Sequence, residues 1–293
     1  MSEMAQTSED ADKKIAPMKI DVDAVLRQRA QRYYPLLPRF VISWLERVIC
    51  QDKLNELLSS NGDMTGVDFS RGVLRDLSIK YNVHGSLPSD DRRVIIVSNH
   101  PLGGLDGLVL SDMVASQYGG NKKMNFIVND LLNFVTPLND IFIGINKHGA
   151  QSRTAAARLD EAFNSDAPIV MFPAGMVSRK GDDGRIADLR WHKMVVGKAI
   201  SSKRNIIPVY FSGENSQFFY KFARLRTHLG LKFNIEMIRL PREIFNREGA
   251  TFDINIGSPI AWQSLKGGKD AQSEADHLRE IVYSLRDMST SDS

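Results

Sequence analysis

The stretch Val94-Ile-Ile-Val-Ser-Asn-His-Pro-Leu-Gly-Gly-Leu-Asp-Gly107 decides how this 293-residue chain is read. Four β-branched residues, Val94 to Val97, follow the charged cluster Asp90 to Arg93. A run this short and this apolar predicts a buried strand, not a helix. It ends abruptly in Asn99, His100, two glycines and Asp106, and the carboxyl end of such a strand is where open α/β sheets hold ligands. An imidazole that titrates near neutrality can take a proton from a hydroxyl, and a nearby carboxylate can fix its tautomer and steady the cation that forms. His100 is therefore the candidate base and Asp106 its support. Gly103, Gly104 and Gly107 allow a tight turn and close approach of a substrate to the main chain. The same residues also fit a simpler arrangement, a His-Pro turn capped by Asp106 ahead of a Leu108–Val114 helix.

Outward from this stretch the pattern alternates. On the carboxyl side, Leu108–Tyr118 reads as a helix, Met124–Val128 and Asp140–Ile145 as strands, and Ser152–Phe163 as a helix with Ala155, Leu159 and Phe163 inward. Pro168–Phe172 is a further buried strand, Leu189–Ser201 a helix, Asn205–Phe211 and Thr251–Ile256 strands, and Asp270–Leu285 a closing helix. Strand and helix in alternation are the signature of parallel βαβ units. On the amino side, residues 1–20 form a polar tail expected to be disordered. Asp21 caps a first helix, and after Pro38 the residues Phe40, Val41, Trp44, Leu45, Val48 and Ile49 fall on one helical face. A helix from Asp68 to Leu77 leads into the strand Lys80–Gly85. The expected architecture is an α/β domain over 79–293, a mostly parallel central sheet flanked by helices, preceded by an N-terminal helical segment over 21–78.

Composition narrows the classes of partner. A net charge of +3, with no Lys/Arg-rich block, is too weak to imply nucleic acid, but a local basic patch leaves an anionic membrane surface as a reasonable partner. The one cysteine, Cys50, excludes an internal disulfide framework and fits a reducing compartment, where it reads as a structural residue on a helix face. No apolar run approaches the roughly 18 residues that span a bilayer. His84, His148 and His228 are scattered and predict no metal site. His192, within the Leu189–Ser201 helix, reads as a packing histidine.

A second strand end sharpens the reading. Phe172-Pro-Ala-Gly175 finishes the Pro168–Phe172 strand in a Pro/Gly turn, and on a parallel sheet it lies at the same edge as Asn99-His100. Val97-Ser-Asn-His-Pro-Leu-Gly-Gly-Leu-Asp-Gly107, Ile141-Phe-Ile-Gly-Ile-Asn-Lys147, Phe172-Pro-Ala-Gly175 and Ile207-Pro-Val209 together resemble the ordered sequence blocks of the glycerolipid acyltransferases, the lysophosphatidate acyltransferase superfamily. Over residues 80–260 the chain looks most similar to the bacterial hemolysin-like branch. It departs from the usual blocks in four ways. Five residues separate His100 from Asp106 where four are usual, Ala174 stands in place of Glu, Arg179 and Lys180 come four and five places after Gly175 where an Arg is usual two places after, and Lys147 stands in place of Arg.

The resemblance implies transfer of a fatty acyl group from an acyl thioester, on acyl carrier protein or coenzyme A as co-substrate and with no further cofactor, to the hydroxyl of a lysophospholipid or lyso amino-acid lipid. It implies that His100 and Asp106 are catalytic. Phe172, Pro173, Gly175 and Ser178 then fall beside the substrate, with a backbone N–H at or near Gly175 as an oxyanion donor. Lys147, Arg179 and Lys180 suit an anionic head group, or else belong to an ordinary solvated turn. Asn99 either orients the histidine loop or caps it. Two aromatic, cation-bearing segments, Tyr33–Ile49 and Phe218–Arg226, are candidates for attachment to the cytoplasmic side of the inner membrane, or for packing helices. A second reading, favoured by Ala174 and the longer His-Asp interval, is a lipid-binding or scaffold protein that keeps the fold without turnover.

Overall fold

In the computed structural model, which describes residues 19–129, 135–145, 153–230 and 234–290, seven strands form one sheet. They are β1 (Lys80–His84), β2 (Val94–Ser98), β3 (Asn125–Asn129), β4 (Phe142–Ile145), β5 (Ile169–Met171), β8 (Asn205–Phe211) and β9 (Thr251–Ile256), in the order β1-β9-β8-β2-β5-β3-β4. A two-stranded hairpin, β6 (Arg179–Lys180) and β7 (Ile186–Ala187), stands apart. All pairings of the large sheet are parallel except β8 with β9, so β1 and β9 run against the other five.

β2 is central and completely buried because its Val-Ile-Ile-Val run has apolar side chains for both faces. Val94 and Ile96 point into one core with α4 (Gly66–Asp76) and α5 (Leu105–Gln117). Ile95 and Val97 point into the other, with α6 (Arg153–Asn164), α7 (Met194–Ser202) and α10 (Ala271–Ser284). The result is a three-layer helix–sheet–helix sandwich. Val97 is level with Met171 of β5 and Pro208 of β8, so the chain leaves all three strands at one edge of the sheet.

Ahead of the sheet, α1 (Val22–Arg29) starts at Asp21, whose carboxylate accepts from the Ala24 N–H at 2.9 Å. Then follow α2 (Arg39–Val48) and α3 (Gln51–Ser60), a helix that the sequence reading left out. Residues 1–18 of the expected tail lie outside the described residues, whereas Ile20 is held by Asn55 through both backbone groups. Cys50 is not on a helix face. It takes left-handed backbone (φ 55°) at the corner between α2 and α3. On α2 it is Ile42 and Val48 that turn inward, which leaves Phe40 and Trp44 on the outer side.

Candidate active site

The turn after β2 is built so that each of its polar groups has one destination. Gly103 sits at φ 81°, and a β-carbon there would lie 2.5 Å from Val177 and 2.9 Å from Leu240, so only glycine allows the chain to double back at this point. Gly104 then precedes α5, which begins at Leu105, three residues earlier than the sequence suggested. That early start places Asp106 in the first turn of the helix, where its carboxylate reaches back to His100. The longer His-Asp interval is absorbed by the left-handed glycine, and His100 Nδ1 meets Asp106 Oδ2 at 2.9 Å.

Asp106 is wholly buried, yet it has abundant donors. Besides the imidazole, its Oδ2 accepts from the N–H groups of Leu102 (2.9 Å) and Gly103 (3.3 Å), and Oδ1 accepts from Gly107 N–H (3.0 Å). Burial alone would raise its carboxyl, but the charge and hydrogen bond of His100 with those backbone donors together hold it below the ordinary 3.8. An ionised carboxylate only accepts, so Nδ1 carries the hydrogen, and in the neutral imidazole Nε2 is then the nitrogen with the lone pair. Nε2 has no hydrogen-bond partner among the described residues, and the side chain is 12% exposed. The Phe172 ring stacks on the imidazole at 3.9 Å between centroids and 18° between planes, and Phe126 backs Phe172 at 5.4 Å. The site therefore presents one free imidazole nitrogen, oriented by a carboxylate on one side and a ring on its face, which is the arrangement a general base needs.

The other predicted residues divide. Asn99 is buried and both ends of its amide are taken by β8. Oδ1 accepts from Phe211 N–H at 2.7 Å and Nδ2 donates to Phe211 O at 2.9 Å. It ties the two strand ends together and so orients the loop. The Gly175 N–H closes a turn on Phe172 O at 2.8 Å, which corrects its assignment as oxyanion donor, and Pro173 lies inside with its carbonyl accepting from His192 N–H. His192 itself is exposed, on the loop before α7 and not within the helix.

Arg179 is a clearer correction. It does not face an open head-group site. It donates to the buried Glu236 at 2.8 Å, and Arg226 meets the same carboxylate at 2.9 Å. Lys180 is exposed and bonded to Gln217. Lys147 lies outside the described residues. Ser178 is brought to the site, but to its rear, where its N–H donates to His100 O at 2.8 Å and its hydroxyl to Asp188 at 2.6 Å.

Asp188, Trp191, Tyr283 and Glu236 were missed by sequence reasoning. Asp188 and Trp191 stand three apart in a segment with no strand or helix period, and the only available signal was an acidic residue just before an indole that has to be buried. Leu240 and Ile244, from α9 (Leu240–Phe245), cover the Gly103–Gly104 turn.

A sequence profile described as Acyltransferase matches residues 24–291. The chain is 40% identical to a lyso-glycine lipid O-acyltransferase of Bacteroides thetaiotaomicron, over 91% of this chain and 97% of that protein. It is 39% identical to a lyso-glycine lipid O-acyltransferase of Phocaeicola vulgatus, over 91% and 95%. Among solved structures it is similar to the 1-acyl-sn-glycerophosphate acyltransferase PlsC from Thermotoga maritima, with TM-score 0.45 and 15% identity over 92% of this chain and 93% of that one. With nearly its whole length matched by the profile and by both relatives, the chain belongs to this acyltransferase family of the glycerolipid acyltransferase superfamily.

Proposed function

We propose that the protein is an O-acyltransferase that moves a fatty acyl group from an acyl thioester, on acyl carrier protein or coenzyme A, to the hydroxyl of a lyso amino-acid lipid, with lyso-glycine lipid as the acceptor. The observation that carries the chemistry is the 2.9 Å contact between His100 Nδ1 and a buried carboxylate, with no partner for Nε2 among the described residues. The acceptor class is supported by the names of the two relatives.

In this mechanism the acceptor hydroxyl donates to His100 Nε2. As its oxygen attacks the thioester carbonyl, the proton passes to Nε2, and Asp106 stabilises the imidazolium through the Nδ1 hydrogen. The tetrahedral intermediate collapses with loss of the thiolate, which takes the proton from Nε2 and leaves the imidazole as it began. General-base assistance of this kind is worth about 10²–10⁴-fold. The test is incubation of the purified protein with acyl carrier protein or coenzyme A thioesters and with lyso-glycine lipid or lysophosphatidate. Mass spectrometry is expected to find the diacylated glycine lipid. Acylation of lysophosphatidate alone would overturn the acceptor, and free fatty acid as the sole product would overturn transfer.

The same reading places the protein on an anionic membrane surface at the cytoplasmic side of the inner membrane. Leu36 (78% exposed), Phe40 (72%) and Trp44 (51%) project from α2 and the turn before it, beside the exposed Arg32, Arg39 and Arg47. Rings flanked by cations suit the headgroup boundary of a bilayer. No helix among the described residues is long and apolar enough to cross a membrane, so attachment in this proposal is peripheral. Flotation with vesicles containing anionic lipid is expected to carry the protein upward, and to fail after Phe40→Ser with Trp44→Ser. Recovery of the unaltered protein in the soluble fraction alone would reject attachment.

A further inference from the structure

Behind the imidazole lies a second buried carboxylate that the mechanism above does not use. Asp188, 4% exposed, sits between the β6–β7 hairpin and α7 and contacts His100 through its backbone, where Asp106 contacts its ring. Its Oδ1 accepts from His100 N–H at 3.1 Å and from the Ser178 hydroxyl at 2.6 Å, and its Oδ2 accepts from Trp191 Nε1–H at 2.9 Å. Ser178 completes a clamp, because its own N–H donates to the carbonyl of the same histidine. Both backbone polar groups of His100 are thereby held by one Ser–Asp pair.

Asp188 is fixed in turn from α10. Its N–H donates to the Tyr283 hydroxyl at 2.7 Å, and Arg279 donates to its carbonyl at 2.8 Å. Burying a carboxylate is costly, and here burial pushes the carboxyl up despite the three donors. A turn that needed only to be closed could be closed by a neutral acceptor. What the carboxyl group adds is a pair of oxygens that grip the His100 N–H, the Ser178 hydroxyl and the Trp191 indole at once, a rigid anchor on the one residue whose ring must stay within hydrogen-bond reach of Asp106.

We infer that Asp188, with Ser178, is a positioning residue for catalysis: it immobilises the His100 peptide so that the ring keeps Asp106 on Nδ1 and presents Nε2 to the acceptor, and it acts on the reaction only through His100. This rests on the proposed role of His100 as base. In Asp188→Asn one oxygen becomes a donor facing other donors, so a bond is lost and the histidine loosens. The expected effect is a fall in kcat of about tenfold or more, the worth of one charge-assisted hydrogen bond, with KM for donor and acceptor within about twofold of wild type.

The deciding measurement is a cycle with His100→Ala, read as thioester-dependent product formation. Groups that serve one imidazole are non-additive, so in the His100→Ala background the added Asp188→Asn is expected to change the residual rate by less than about twofold. A further tenfold loss there, or an Asp188→Asn enzyme with wild-type kcat, overturns the inference. Wild-type turnover by His100→Ala would instead sink the general-base reading itself, so the two failures are distinct. Should Asp188→Asn not fold, Ser178→Ala removes the bridging hydroxyl. It is expected to lower kcat several-fold with the same loss of effect in the His100→Ala background, and wild-type kcat in Ser178→Ala overturns the inference equally.

Discussion

Two turns leave the same edge of the sheet, and the chain uses them differently. After β2, the turn from Asn99 to Asp106 delivers an imidazole whose Nδ1 and supporting carboxylate are tied to near neighbours in sequence, within seven residues, while Asn99 ties the turn to the adjacent strand. After β5, the turn from Phe172 to Lys180 delivers a ring that stacks on the imidazole and a serine that grips its backbone. Its arginine turns away to Glu236, 57 residues on. In the proposed mechanism the first turn carries the chemistry and the second holds it in place. A cation beside an active-site motif is thus no evidence of a head-group contact until its partner is known, because a buried carboxylate can claim it first.

The difference can be broken most forcefully at the first turn. His100→Ala should lower kcat by about 10²–10⁴-fold, measured as thiol release in the presence of acceptor, with the folded state intact. Asp106→Asn should also lower it steeply, since an amide facing Nδ1 favours the wrong tautomer. At the second turn the expected loss is one of stability. Arg179→Ala strips one of two cations from buried Glu236 and should cost about 3 kcal/mol in denaturant unfolding, with the acceptor KM within about twofold of wild type. A tenfold rise in KM at unchanged stability would restore Arg179 as a substrate contact.

Smaller effects test the turn geometry. Gly103→Ala forces a β-carbon against Val177 and Leu240 at φ 81° and should cost about 1–3 kcal/mol, whereas Gly104→Ala, in extended backbone with Ile244 at 3.5 Å, should stay within about 0.5 kcal/mol. The smallest is a matter of pH. Asp106 has a folded pKa below its unfolded 3.8, so its contribution to stability is complete above that value and is lost as pH falls through the lower, folded one. The gap in Tm between wild type and Asp106→Asn should therefore be flat from neutrality to about pH 4 and narrow below it.

Much of the fold was legible because apolar runs of strand length survive any tertiary arrangement. All seven strands of the large sheet were marked by apolar runs or by polar-apolar alternation, Val94–Ser98 most plainly. Strand direction was not legible. Alternation in Thr251–Ile256 identifies a strand but cannot show that it runs against β8. The start of α7 at Met194 instead of Leu189 was hidden because Asp188 and Trp191 are spent on the back of the site, a tertiary demand with no local period.

Of the candidate site, the pairing of His100 with Asp106 was legible from strand-end position and side-chain chemistry, the nearness of Phe172 from its place at the same sheet edge, and the tight turn at Gly103 from the glycines, whereas the stacking of Phe172 on the imidazole was not. The polar clamp and the Glu236 pair depend on contacts from 10 to 88 residues apart, which spacing alone does not encode.

The account turns on a neutral imidazole held as the Nδ1–H tautomer by Asp106. Nitrogen NMR of the protein labelled at histidine, taken at mildly alkaline pH, reads that state directly. One histidine is predicted to show a protonated Nδ1 and a bare Nε2, to vanish in His100→Ala and to lose its tautomer preference in Asp106→Asn. A His100 signal protonated on Nε2, or one indifferent to Asp106→Asn, would contradict it.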